Sequence, residues 1–204
     1  MAREVDLVFL DTLFERMKIL VEIKTLDRLT VRAAGWTAQP GLRERYARRF
    51  AELENKLIQL TQPVSDDAEM LSFKKLEQYF HLDWWELQTL AIAAAPRFDI
   101  LFQDLFARFH MEPNHTYCSV NTCLHVLFPT RIERWRHRRM FLKGSSLIET
   151  GLIRLGPATS SNAADLMEWV VIAPEYIFDT LVGELSVDDF ATSLWASSWH
   201  LKSR

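Results

Sequence analysis

Glycine and proline are scarce, at six and seven in 204 residues, and a turn-dense all-β architecture or a collagen-like repeat needs far more of both. Cysteine is scarcer still. Two residues, Cys118 and Cys123, make no disulfide framework, and reduced thiols point to a cytoplasmic location. No apolar run reaches the roughly 20 residues that span a bilayer, and the opening MAREVDLVFLDTLFERMK mixes acids into its apolar stretch, unlike a signal peptide. A charge excess is also missing. The formal net charge is −3, so no global field pulls the chain onto nucleic acid or an anionic membrane.

Catalytic frames are absent as well. No G-x-x-x-x-G-K-[ST] occurs; in Lys143-Gly144-Ser145-Ser146 the Lys precedes the Gly and no Gly-rich loop stands upstream, so the backbone cannot curl its N–H groups around a phosphate with the Lys reaching in from a helix start. Ser145-Ser146 lacks the G-x-S-x-G frame. The acid pairs Asp66-Asp67 and Asp188-Asp189 stand at helix starts, where capping and the helix dipole account for them. The expectation is a chain that is not itself an enzyme and carries no cofactor.

What is present is apolar bulk, with 49% hydrophobic residues, seven Trp and thirteen Phe, in a chain long enough to bury a real core. Leu10, Leu13, Phe14, Met17, Leu20 and Val21 recur at helical spacing and predict a helix over 5–24. After a break from Arg32 to Gly41, a second helix is expected over 41–60. There Tyr46, Phe50, Leu53, Leu57 and Leu60 step 4-3-4-3, which suits a helical hairpin. The polar QPVSDD, 62–67, is a candidate boundary. Shorter helices follow. One spans 72–80. A second, over 84–94, is capped by Asp83 with Glu86 completing a capping box and Pro96 at its end. Phe98, Leu101, Phe102, Leu105, Phe106 and Phe109 mark the core face of the next. Adjacent Trp84 and Trp85 cannot face the same way, so one is expected in the core and the other partly exposed. Ser119 caps a helix to Phe128, and Thr130 caps 131–141.

After Gly144 the composition changes. Leu147–Leu155 and Leu166–Ile172 are β-prone and flank the small, polar GPATSSNAAD, which predicts two antiparallel strands and a flexible wing. Pro174 opens a last helix to Val182, and a polar tail carries Phe190, Leu194, Trp195 and Trp199. The fold class expected is mainly α: an N-terminal helical hairpin (1–64), a winged-helix domain with a small β-hairpin wing (65–185), and a tail or linker (186–204).

The stretch YFHLDWWELQTLAIAAAPRFDILFQDLFARF (79–109), with SVNTCLHVLFP (119–129) and SSLIETGLIRL (146–155), resembles the N-terminal winged-helix region of bacterial AAA+ ATPases. Phe80-His81-Leu82 and Ala95-Pro96-Arg97-Phe98-Asp99 stand where that family has Phe-Gly-Leu and Ala-Pro-Glu-Leu-Asp. The resemblance implies a substrate- or partner-recruitment or regulatory module, oligomeric through its parent ATPase. ATP and Mg²⁺ would be bound by an ATPase module that this sequence lacks, toward which the tail would lead. Some family members sit in gene clusters for phage-tail-like contractile injection systems, which makes injection-system components implied partners.

The segment TRIERWRHRRMFLK sets Arg131, Arg134, Arg136, Arg138, Arg139 and Lys143 against one acid, Glu133, with Trp135 among them. Such a helix can dock an acidic protein surface, contact phosphates or stay solvated, and Trp135 can stack on a base or pack inward. These seven residues, Trp135 included, are the candidate partner-binding set. Taking 119–128 as the recognition helix, its Asn121, Thr122 and His125 come without Arg or Lys, poor equipment for reading guanine. A protein partner is therefore favoured over the alternative, a DNA-binding winged-helix regulator. His110, His115, Cys118, Cys123 and His125 are the residues to weigh for metal. On one helix Cys118 and Cys123 would stand about 140° apart, so a closed site is not expected.

Overall fold

The computed structural model describes residues 4–32, 40–61, 71–157, 165–190 and 192. The connector 62–67, most of the 32–41 break, most of the loop between the β-prone runs, and Leu194, Trp195 and Trp199 of the tail lie outside them.

Helix α1 (Glu4–Arg32) and helix α2 (Leu42–Thr61) form the N-terminal hairpin. α1 runs further than 5–24 because its apolar face continues. Phe9, Leu10, Leu13, Phe14, Met17, Val21 and Leu26 are all buried, at the spacing that stacks side chains on one side of a helix. On α2 the heptad stripe buries Leu53 and Leu57, while Tyr46, Phe50 and Leu60 are half-buried. Arg16 clamps three elements. Its guanidinium donates to Gln88 Oε1 at 2.8 Å and to Glu54 Oε1 at 3.0 Å, and lies 4.5 Å from the centre of the Phe50 ring.

The hairpin shares one hydrophobic cluster with the elements that follow. Helix α3 (Ser72–Phe80) starts without a side-chain cap of its own; Asp6 of α1 supplies one, accepting from Ser72 N at 2.8 Å. Helix α4 (Trp84–Phe98) has the expected capping box between Asp83 and Glu86. It runs past Pro96, which sits in the last turn, so Phe98 closes α4 and does not open the next helix. Helix α5 (Leu101–His110) therefore begins late. Phe102, Leu105, Phe106 and Phe109 are buried as expected, but Leu101 is 53% exposed. Trp84 and Trp85 correct another expectation, since neither enters the core: they are 44% and 37% exposed.

Helix α6 (Val120–Leu127) opens on a capping box between Ser119 and Thr122. Three residues, Phe128-Pro129-Thr130, lead to helix α7 (Arg131–His137), capped by Thr130. A 3₁₀ turn, Arg138–Phe141, and a single helical turn α8 (Ser146–Glu149) follow. Gly144 sits between them at φ +93°, where a side chain would be strained. The expected strand 147–155 thus begins as helix. Leu147, Leu152 and Ile153 are all buried, and a short run that is apolar throughout reads equally well as a buried strand or a helical turn.

Strand β1 (Arg154–Gly156) pairs antiparallel with strand β2 (Val170–Ile172) in the register Arg154↔Ile172, Leu155↔Val171, Gly156↔Val170. The wing is present but shorter than expected, and Leu166–Glu168 is a 3₁₀ turn. Ahead of α6 an isolated antiparallel bridge pairs Ser119 with Val170: Val171 N donates to Cys118 O at 2.8 Å and Val120 N to Trp169 O at 2.9 Å. Helix α9 (Glu175–Leu181) closes the unit, its Tyr176 hydroxyl donating to Gly151 O at 2.8 Å.

Candidate functional site

The order from α5 onward is helix, isolated bridge at Ser119, helix, three-residue turn, helix, a further single helical turn and two-strand wing. α6 and α7 make a helix-turn-helix, so the second, solvent-facing member of the pair is α7. That corrects the assignment of 119–128 as recognition helix. α6 buries Val120, Thr122, Cys123, Leu124, Val126 and Leu127, and Asn121 and His125 are half-buried; a helix covered on nearly all sides cannot enter a groove. α7 has no buried residue.

The Arg-rich segment therefore occupies the exposed position, and its apolar members face outward with it. Trp135 is 82% exposed and Ile132 is 73% exposed. Three residues apart, they stand on the same side of the helix. Arg131, Arg136, Arg138, Arg139 and Lys143 are exposed around them, as is Leu142 beyond the 3₁₀ turn. Met140 and Phe141 are buried and pin that turn to the core. Ile132 and Leu142 were not among the residues singled out from sequence; the only signal was Ile132 standing one helical step before Trp135.

Two members of the charged set have local work. Arg134 is half-buried, and its Nη1 donates to the carbonyls of Phe128 at 3.1 Å and Pro129 at 3.0 Å, which holds the turn between α6 and α7. Glu133 accepts from Thr130 N at 2.9 Å and from the Thr130 hydroxyl at 2.7 Å. Those bonds, the hydroxyl's first, hold its carboxyl below the usual range. The one acid of the segment is thus committed to the cap. Beneath α7, His137 stacks on Phe128 with centroids 4.0 Å apart, and Trp85 leans on the same Phe128 ring at 4.9 Å. Burial, foremost, pushes His137 below its ordinary pKa.

The wing opens on one exposed cation, Arg154, and is acidic beyond it. No Lys or Arg occurs between Arg154 and Lys202, whereas Asp165, Glu168 and Glu175 fall on or beside the wing.

The five residues weighed for metal come closer than one-helix geometry allows. Cys118 lies ahead of α6, next to the Ser119 bridge, and its sulfur is 3.2 Å from that of Cys123. His110 stacks on His115 at 3.4 Å, and its Nε2 is 2.6 Å from Thr122 Oγ1. Among the described residues no group of three or more His, Cys, Asp or Glu could hold a metal ion, and no helix is long and apolar enough to cross a membrane.

A helix-turn-helix followed by a two-strand wing defines a module that binds DNA or protein. The chain matches the family described as "Winged helix domain, variant" over residues 6–191, and it belongs to that family. The matched span includes α1 and α2, consistent with a hairpin built into the domain's core. No curated protein and no solved structure matches the chain.

Proposed function

We propose that this chain is a non-catalytic recruitment or regulatory module that docks a protein partner on the exposed face of α7 and the turn after it. One observation carries the reading: Trp135 and Ile132 stand almost fully exposed inside a ring of arginines. Trp and Arg are the side chains that dominate protein–protein hot spots, and an exposed apolar pair rimmed by charge is what such a surface presents before it is covered. A partner with an acidic surface around an apolar pocket fits it.

The other reading, a DNA-binding regulator, gains from the position of α7, because the second helix of the pair is basic after all. Two features weigh against it. The outward side of α7 offers Ile132 and Trp135 where base edges call for polar side chains. The wing, which in a DNA complex would lie against phosphates, brings Asp165 and Glu168 against a single cation, Arg154 at the start of β1.

The resemblance of 79–109, 119–129 and 146–155 to the N-terminal region of bacterial AAA+ ATPases supports placing this module beside an ATP-driven machine, with hydrolysis supplied by a separate module and residues 186–204 as the linker toward it. Injection-system components remain candidate partners on that same resemblance. The test is site-specific photo-crosslinking in cells from position 135. A protein adduct that disappears on Arg136→Glu supports docking, whereas adducts to DNA alone refute it.

A further inference from the structure

Between α1 and α5 lies a groove of about 870 Å³. Its apolar lining is Ile19 of α1 with Leu101, Leu105 and Met111, the last at the C-cap of α5. Leu101 and Met111 are exposed, so this lining is open to solvent, and Ile100, next to Leu101 in the chain, is exposed as well. Four acids line the same groove, Glu15, Glu22, Asp104 and Glu112, against two cations, Lys18 and Arg108. Both cations are already matched. Lys18 is bridged between Glu15 and Asp99, 2.6 Å from Asp99 Oδ2, and Arg108 Nη2 donates to Glu22 Oε1 at 2.7 Å. Asp104 forms no ion pair among the described residues. Glu112 faces His115 at 3.7 Å, which burial keeps uncharged near pH 7. The groove thus joins an open apolar lining to a surplus of negative charge.

We infer that this groove is the seat for α7 of a second copy of the chain. The pairing rests on protein docking at α7 and makes the docked protein another copy of this one. On one face Trp135 and Ile132 stand exposed among Arg131, Arg136, Arg138 and Arg139; on the other an apolar lining is flanked by unmatched carboxylates. Neither Trp135 nor Ile132 lines the groove of its own chain, so the two faces meet only between copies. In the seated pair the indole and Ile132 cover Leu101 and Met111, and arginines of α7 reach Asp104 and Glu112. Apolar contact supplies the affinity, while charge sets the orientation and keeps one basic α7 from pairing with another. Because the joined surfaces differ, the contact is heterologous: two copies close on each other only if each seats the other's helix, and otherwise a helix and a groove stay open for further copies.

The test is sedimentation equilibrium of the purified chain near physiological salt, with crosslinking from an aromatic photoreactive residue at position 135. Wild type is compared with two double variants, Asp104→Arg with Glu112→Arg and Arg136→Glu with Arg139→Glu. All four substituted side chains are exposed, so the circular dichroism spectrum stays that of wild type. Wild type is expected to rise above the mass of one chain with concentration, and its crosslinks to fall on 101–113 of a second copy. Each double variant should associate at least tenfold more weakly. Mixing the two should restore association, because the reversed helix and the reversed groove attract each other as the native pair does. A wild type that stays monomeric at every concentration, crosslinks that fall elsewhere on the second copy, or association unchanged by both double variants would overturn self-docking. If a monomeric wild type crosslinks a different protein in cells, self-docking falls and protein docking at α7 stands; adducts to DNA alone overturn both.

Discussion

Phe102 sits where α5 meets α1, fully buried, with its ring edge-on to Phe14 at 6.2 Å and beside Phe106 at 6.1 Å. Truncation leaves a cavity that neighbouring helices close only in part, so Phe102→Ala is expected to lower stability by about 3–5 kcal/mol, read from the denaturation midpoint. An unchanged midpoint would mean that face of α5 is not core. His110 adds a pH dependence. Burial first, then the nearby charges of His115, Arg28 and His125, lowers its pKa to about 3 from an ordinary 6.5. His115 and His125 are shifted the same way, each chiefly by burial. Between pH 6.5 and about 3 the unfolded chain takes up a proton that the folded one refuses. Stability is therefore complete above pH 6.5 and drains away as the pH falls. A urea midpoint that drops between pH 7 and pH 5, and drops less in His110→Gln, is the expected outcome; a wild-type midpoint flat across that range contradicts it.

At the scale of elements, α7 depends on its cap because it has no buried face to hold it. Thr130→Ala removes the side-chain acceptor for Glu133 N, at 3.2 Å, and frees the Glu133 carboxylate. A loss of about 1 kcal/mol in global stability is expected, with hydrogen exchange of the α7 amides rising more than that of α4. Equal exchange in both helices would mean that the cap does not govern α7. The caps at Asp83, Ser119 and Thr130, and the box at Asp83–Glu86, were legible because a cap is a local pattern at a helix start. The stripes of α1, α2 and α5 were legible for the same reason. What could not be read was whatever long-range pairing decides. The isolated bridge at Ser119 carries no strand signature, yet it fixes α6 as the first helix of the pair and moves the recognition position to α7. The run from Leu147 was ambiguous because burial on every side erases the period that separates strand from helix. Trp84 and Trp85 escaped the core because Arg16 and Phe128 offer them surface seats, 6.0 Å and 4.9 Å away. The seven partner-binding candidates were legible as a cluster, but their orientation was not. Arg134 turned to the backbone, and Ile132 joined Trp135 outside.

Across the whole molecule, charge is segregated. Arg and Lys crowd 131–154, and from 155 to 201 the chain carries acids and no Lys or Arg, so the −3 net charge conceals a basic α7 followed by an acidic stretch beyond Arg154. That division predicts how binding responds to salt. Contacts to DNA through phosphates alone weaken steeply as salt rises, whereas a protein held on Trp135 and Ile132 keeps its apolar contacts. Arg136→Glu with Arg139→Glu should reduce partner crosslinking from position 135 several-fold and leave the folded spectrum unchanged, because both side chains are exposed. The most direct test of protein docking over DNA reading is a selection of duplexes from a random pool at physiological salt, followed by a measured affinity for the winners. Protein docking predicts that no duplex is held appreciably tighter than random sequence. A selected duplex bound at about 10⁻⁸ M or tighter, with binding abolished by Arg136→Glu, would contradict it.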